Sequence, residues 1–444
     1  MHEEQEHRGS PHTEQEKVRG AIELASHAGA VLLSSGAAAS EVAQAVLDVL
    51  DTAGLRQVTV DINYTALLVT HHPPGDTPYV HVETIGVRAF NYGRQTDMLH
   101  VVERFTAGEL ALDAARREAI RATTSPGRFP WWLTRAAAGA AGASAGGIFG
   151  GDWLVMLIAL AANVLLDYLF SALGRHQWPV FFIQAIAGFI GVCSALLLHV
   201  IDPKTDPSIV VIAVIIVMLA GMTTTGGVQD AITGWYLTGA GRIFEAITNT
   251  VGLIVGVTLG LLVAHRVEVD LAIRSNISMK SLPLWVMVLA AAFVAIGFSV
   301  VAQNPPRVIL PTALLSSAAY AVDVAAVRAD YGAVWSAGAA AFVAGAVGVL
   351  YARWMHAPAT ALATCAILAM LPGVQLYQGF FQSAQHLSPL VTAAATALAL
   401  AGGIIFGEYL ATPGARSLHL REGRFYAPLF ADPSSLYRAH RTGR

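Results

Sequence analysis

Arg242 and Glu245 stand three residues apart in a stretch of chain that is otherwise mostly apolar. A guanidinium can grip a carboxylate through two parallel N–H···O bonds, while a carboxylate can hold an ammonium group or a proton. The pair therefore suits the two ends of an amino acid, although residues at i and i+3 of a helix can also satisfy each other. Asn249, one turn after Glu245, extends the same polar face. Asp230 lies shortly before them. A carboxylate in a low-dielectric cavity can exchange protons near neutral pH, which ranks Asp230 first as proton carrier; its alternative role is a helix cap. Asp167 follows Asn163 at i, i+4, so both fall on one helix face able to bind a proton, a cation or an ammonium group, unless Asp167 simply reaches water at its helix end. Thr223, Thr224 and Thr225 offer hydroxyls to a hydroxylated substrate, or else back-bond to their own helix. Gln375 and Gln378 are their neutral counterparts later in the chain.

The elements that must hold these groups are mostly membrane helices. The 444-residue chain is 55% hydrophobic and 13% charged, against about 25% charged in an ordinary soluble domain. Residues 1–130 hold 28 of the 57 charged residues and 412–444 hold eight, leaving 21 for the long middle. A net charge of −3 without a basic patch argues against a nucleic-acid partner. Cys193 and Cys365 both lie in apolar runs, which excludes a disulfide framework and argues against a thiolate metal site. The acidic start, Met1-His2-Glu3-Glu4, lacks the features of a cleaved signal, so insertion is expected to rely on the first span.

Residues 1–19 read as a disordered leader and 20–130 as a cytoplasmic α+β domain. Helical spacing over 21–34 is followed by a helix from Ser40, as N-cap, to Gly54. Alternation predicts a strand over 57–64, a Pro-Pro-Gly-Asp turn at 73–76 leads to a second over 79–89, and helices follow near 95–105 and 108–123. His71, His72 and His81 flank the turn with no fourth ligand at a suitable spacing, so solvated loop histidines are expected and no metal. No activated serine, nucleophilic cysteine or phosphate loop appears, so neither an enzyme nor a cofactor is expected.

At roughly 20 apolar residues per span, ten spans fit: 132–150, 153–172, 179–200, 208–226, 242–264, 283–302, 308–323, 333–352, 357–376 and 388–410. They group into a first five-helix repeat (131–266), an outer loop (267–282), a second five-helix repeat (283–412) and a basic cytoplasmic tail (413–444). Basic flanks before span one and after span ten place both termini in the cytoplasm. Asp323 and Glu408, near span ends, are expected to be solvated, and Asn304-Pro305-Pro306 to be a turn.

Met218-Leu219-Ala220-Gly221 ends span four and Met370-Leu371-Pro372-Gly373 ends span nine. An odd number of spans per repeat turns the halves opposite ways, and Gly/Pro interruptions at matching places point to a transporter's binding site. Gly221, Gly226, Pro372 and Gly373 are the expected helix breaks.

The run Ser34-Ser35-Gly36-Ala37, the stretch Gln229-Asp230-Ala231-Ile232-Thr233-Gly234, then Gly241-Arg242-Ile243-Phe244-Glu245-Ala246, Asn304-Pro305-Pro306-Arg307 and Met370-Leu371-Pro372-Gly373 together resemble the threonine/serine exporter family over about residues 20–412. One departure is Ala220, where the second mark has Pro372. The resemblance implies a secondary exporter in a bacterial inner membrane, driven by the proton gradient and moving threonine, serine or small relatives. Some members of that family look like dicarboxylate exporters. A dicarboxylate wants two cationic sites, and Arg242 is the only basic residue well placed at a break, so the amino acid is favoured. A membrane-anchored sensor or enzyme using the N-terminal domain is a weaker alternative. A channel would differ in needing no proton gradient. The expected partners are the amino acid, protons and the bilayer; a homo-oligomer is left open.

Overall fold

The computed structural model describes residues 11–73, 75, 77–86, 88–215, 221–269, 271, 282–355, 357–371 and 388–417. The N-terminal domain starts with α1 (Pro11–Ser34) and α2 (Ala39–Thr52), whose apolar faces carry Ile22, Ala25 and Leu32 against Val42, Val46 and Val49, all buried. Three antiparallel strands follow, β1 (Val58–Ile62), β2 (Ala66–His71) and β3 (Tyr79–Thr84), in spatial order β1-β2-β3. Val60 faces Val69, which faces His81. Alternation turns Val58, Val60, Ile62, Leu67 and Val69 onto the helices, as period-two side chains require. Helices α3 (Tyr92–Thr106) and α4 (Leu112–Thr124) close the core with Met98, Val102, Phe105, Ala115 and Ala119.

Several expectations change here. Residues 11–19 are helical, as part of α1: Gln15, Glu16 and Lys17 face water and Arg19 pairs with Glu23. Ser40 is not the N-cap of α2; that position is Ala38, with no side-chain cap of its own. A strand unforeseen in the sequence, β2, fills the centre of the sheet and carries His71, which is buried and within 3.2 Å of the Gln57 carbonyl oxygen through Nδ1. His71 is therefore not a solvated loop residue.

The remaining helices are α5 (Trp131–Ile148), α6 (Trp153–Arg175), α7 (Val180–Ile201), α8 (Pro207–Ile215), α9 (Gly221–Ile232), α10 (Tyr236–Arg266), α11 (Leu284–Val301), α12 (Pro306–Arg328), α13 (Gly332–Met355), α14 (Ala359–Ala366) with a 3-10 turn Leu368–Met370, and α15 (Ser388–Ser417). Seven of them, α6, α7, α10, α11, α12, α13 and α15, are long and apolar enough among the described residues to cross a membrane. Their outward faces carry Trp153, Leu157, Leu262 and Leu289, each half exposed or more. The protein is thus a multi-pass membrane protein. Helix α5 has the length, but its alanines and glycines leave it less apolar and fit it for close packing.

Glycines set how near the helices come. On α10, a β-carbon at Gly252 or Gly256 would fall 2.4 Å from the Phe181 carbonyl oxygen or 1.8 Å from that of Ala185, both on α7. On α15, one at Gly403 or Gly407 would fall 2.4 Å from Gly338 O or 2.2 Å from Phe342 O, both on α13. Backbones touch at these crossings, so no side chain fits. Helices α5 and α11 meet in the same manner, Gly297 lying against the Ala137 carbonyl.

Candidate functional site

Helices α9 and α10 form a hairpin closed by Thr233-Gly234-Trp235, in which the Trp235 N–H donates to Asp230 O at 2.8 Å and Gly234 takes a positive φ of 92°. The Trp235 side chain is buried in the core of the N-terminal domain. The hairpin's helices cross at Gly227 and Gly239, where a β-carbon on either would meet the other's carbonyl oxygen at 3.0 Å or less. That approach brings Arg242 to Asp230, Nε to Oδ2 at 3.2 Å, with the two residues 6% and 0% exposed.

Both partners also hold the N-terminal domain. Ala39 N–H, in the first turn of α2, donates to Asp230 Oδ1 at 2.9 Å, and Arg242 Nη2 donates to Ala37 O at 2.6 Å. Asp230 is a helix cap, but for a helix 191 residues away in sequence. The first unsatisfied amides of α2 and its positive dipole end receive a carboxylate there. Thr238 adds a hydroxyl bond to Ile62 O at 2.9 Å.

Glu245 does not pair with Arg242 as the i, i+3 spacing allowed. It accepts from the Tyr64 hydroxyl, and the Tyr64 ring packs against Gly241, where a β-carbon would lie 2.5 Å from it. Arg88 lies over that ring at 4.1 Å and donates from Nη2 to Tyr64 O at 2.7 Å, while its buried Nη1 has no hydrogen-bond partner among the described residues. Burial and the nearby Arg242 charge lower the Arg88 pKa to about 10, and burial together with the Glu245 bond raises that of Tyr64. A small cleft of about 60 Å³ runs between Gly36, Arg88, Phe90, Thr223, Arg242 and Glu245. It offers a donor-rich wall and a carboxylate within one compact space.

Other predicted residues fall in different places. Gly226 is inside α9 and breaks nothing; its missing side chain leaves room for the Arg242 guanidinium, 2.8 Å from where a β-carbon would sit. Gly221 lies in α9 and packs on Leu371, whose side chain lies 3.0 Å from its absent β-carbon, so the two marks of the sequence meet. Thr225 is buried and back-bonds to Gly221 O at 2.9 Å; Thr224 is partly buried on α9, and Thr223 faces the cleft. Asn249 lies one turn beyond Glu245, partly buried. Asp167 sits 4.0 Å from Arg135. Asn163 instead turns inward, donating to Ala159 O at 2.9 Å and to Ala213 O at 3.4 Å; the two form no shared cation site. Pro372, Gly373, Gln375 and Gln378 lie outside the described residues. Glu408 is not solvated but 4% exposed, and Asp323 is partly buried. Asn304 is buried too, donating to Cys365 Sγ at 3.5 Å. A larger groove of about 560 Å³ lies elsewhere, between α3 and Pro305–Arg307. There Asp97 and Arg128 pair with each other, so the two charges already satisfy one another.

Tyr64 and Arg88 were not foreseen. Arg88 had one visible signal, a lone cation in the otherwise apolar Ala89-Phe90 approach to α3, with no acidic neighbour to match it. Tyr64 had none beyond its place at the end of a strand.

Residues 23–264 match the family model of the threonine/serine exporters, and residues 287–412 match a second model, Threonine/Serine exporter, ThrE. The chain belongs to the threonine/serine exporter family. It is 31% identical over 411 residues to a Mycobacterium tuberculosis (strain ATCC 25618 / H37Rv) protein named "Probable threonine/serine exporter", covering 89% of this chain and 77% of that one. It is 28% identical over 418 residues to the Corynebacterium glutamicum "Threonine/serine exporter", covering 90% of this chain and 84% of the relative. No solved structure matches it. Within this exporter the first family model spans the N-terminal domain together with α5–α10, so the Asp230–Arg242 clamp and the cleft beside it lie inside one matched unit.

Proposed function

We propose that this protein exports threonine and serine across the cytoplasmic membrane, coupled to the proton gradient, with the substrate held in the cleft between Arg88, Arg242, Glu245 and Thr223. The observation that carries the site is charge balance beside an unpartnered donor. Asp230 neutralises Arg242 at 3.2 Å, Tyr64 engages Glu245, and Arg88 Nη1 has no partner among the described residues. An amino-acid zwitterion brings one carboxylate for Arg88 and Arg242 and one ammonium for Glu245, leaving the site neutral. A dicarboxylate would bring two negative charges to a place that already has Asp230 and Glu245. Thr223 stands where a hydroxylated side chain can be met by a hydroxyl. Asp167, Asp230 and Glu245 remain the proposed carriers of the proton within the membrane body.

The transport architecture proposed is ten spans in two inverted halves, with the N-terminal domain cytoplasmic. In each half the third helix packs on the fifth through glycines, α7 on α10 and α13 on α15. The first helices of the halves, α5 and α11, pack on each other in opposite directions: Phe129, before α5, donates to the Gln303 side chain, just after α11. Trp235, Ala302 and Thr360 all reach the N-terminal domain from turns or helix ends that ten alternating spans would put on one side. Basic flanks make that side cytoplasmic.

The test is the affinity of Arg88 variants. A charge-assisted contact is worth about 1.5–3 kcal/mol, so Arg88→Ala should weaken apparent threonine affinity about 10- to 150-fold. Arg88→Lys should recover only part, because an ammonium cannot reproduce the fork. Unchanged affinity in Arg88→Ala, with normal abundance, would exclude this cleft as the substrate site.

A further inference from the structure

One side chain of the N-terminal domain touches both charged ends of the proposed substrate site. Tyr64 stands in the turn between β1 and β2, where Asn63 Oδ1 accepts from the Thr65 and Ala66 amides at 3.1 and 2.9 Å. A turn closed by its own side chain fixes where the tyrosine leaves the backbone. The Ile85 N–H, donating to Thr65 O at 2.9 Å, ties that turn to the chain after β3. From there the ring packs on α10 at Gly241, the hydroxyl donates to Glu245 Oε2, and the ring face carries the Arg88 guanidinium at 4.1 Å. Arg88 and Glu245 line one cleft with opposite charges, yet among the described residues no ion pair joins them, and Tyr64 is in contact with both.

The cleft has a volume of about 60 Å³, which is room for a few water molecules. Pockets that enclose a small-molecule ligand begin at about 300 Å³, so threonine enters only if the walls part. Those walls belong to two bodies: Gly36, Arg88 and Phe90 come from the N-terminal domain, and Thr223, Arg242 and Glu245 from the α9–α10 hairpin. Elsewhere the two bodies are joined by buried groups, with Trp235 in the domain core, Arg242 on Ala37 O and Thr238 on Ile62 O. The Tyr64–Glu245 contact differs. Both side chains are only partly buried, and rotation about side-chain bonds separates them without moving the domain.

We infer that the Tyr64 hydroxyl is an internal stand-in for the substrate's ammonium group, occupying Glu245 until threonine or serine takes its place. An ammonium is a charged donor and binds a carboxylate more strongly than a phenol does. Turning Tyr64 away also uncovers the Arg88 guanidinium, so the receptors for both ends of the zwitterion open in one step. The inference rests on the proposed substrate site and adds that this site is latched. Apparent affinity is then lowered by the fraction of molecules in which the latch is closed.

Equilibrium binding of labelled threonine to the full chain in lipid nanodiscs tests the latch. Tyr64→Phe removes the hydroxyl but keeps the ring on Gly241 and under Arg88, so the chain should still fold. A hydrogen bond to a charged group holds the closed state, and its loss should tighten apparent threonine affinity about 10-fold or more. Glu245→Ala removes the acceptor for which hydroxyl and ammonium compete, so adding Tyr64→Phe to it should change affinity no further. A residue that only supported the fold would weaken binding when altered. Affinity unchanged or weaker in Tyr64→Phe would overturn the latch, as would an equal gain in the Glu245→Ala background. Arg88→Ala separates the latch from the site itself: full affinity there removes the cleft, whereas lost affinity there with no gain in Tyr64→Phe removes the latch alone.

Discussion

Replacing Asp230 by Asn should destabilise the seat of the N-terminal domain far more than a surface change would. The substitution keeps an oxygen for the Ala39 amide but removes the charge that faces Arg242 at 3.2 Å, in a pair that is 0% and 6% exposed. Breaking one side of a buried ion pair costs about 3–5 kcal/mol, because the other charge is left in a low-dielectric place. Asp230→Ala loses the cap as well, about a further 1 kcal/mol. At the lower bound the seated state weakens by about two orders of magnitude. Asp230→Asn combined with Arg242→Gln removes both charges and should recover most of the loss. Thermal midpoints from fluorescence-detected size exclusion in detergent would show both single variants well below the wild type, with the double variant above at least one of them. Hydrogen exchange at Ala39–Leu50 should follow the same order. Additive losses in the double variant would refute the clamp. Wild-type stability in Asp230→Asn would also refute the clamp, whereas lost pH dependence of export in that variant is what its proposed role as proton carrier predicts.

The remaining predictions concern backbone approach and topology. Gly36→Ala should lower the thermal midpoint and weaken threonine affinity, because Gly36 has φ 103° and a β-carbon there would lie 2.7 Å from the Phe90 ring. Gly256→Leu should strip the protein from the membrane, since its β-carbon alone would sit 1.8 Å from Ala185 O, whereas Gly402→Leu, with nothing within 4 Å among the described residues, should be tolerated; equal abundance of the two variants contradicts the helix packing. Reporter fusions after residues 125 and 425 should both read cytoplasm, and opposite readings would remove the ten-span proposal.

The helices were legible because apolar runs and charge distribution carry most of the information about a membrane body. Val58, Val60 and Ile62 likewise announced a buried strand face by alternation. Strand β2 was not legible: Leu67, Val69 and His71 alternate correctly, but the polar Thr70 and His72 beside a Pro-Pro turn read as loop. Gly226 suggested a break because glycine weakens helices, and in the structure it leaves space for a guanidinium while Gly227 beside it serves the close crossing. Asp230, Arg242 and Glu245 were legible as candidates, because ionisable groups in an apolar run stand out. Their partners were not, because the i, i+3 rule sees only one helix. Asp230 binds an amide 191 positions away and Glu245 a tyrosine 181 positions away. Glu408 was misread for a related reason: closeness to a span end does not fix how deeply a side chain is buried.

Counterflow in proteoliposomes tests the central claim most directly. Vesicles of the purified chain loaded with unlabelled threonine should accumulate labelled threonine and serine, leave labelled succinate outside, and lose threonine exchange in Arg88→Ala and Glu245→Gln variants that still insert. Succinate exchange without threonine exchange would contradict the account.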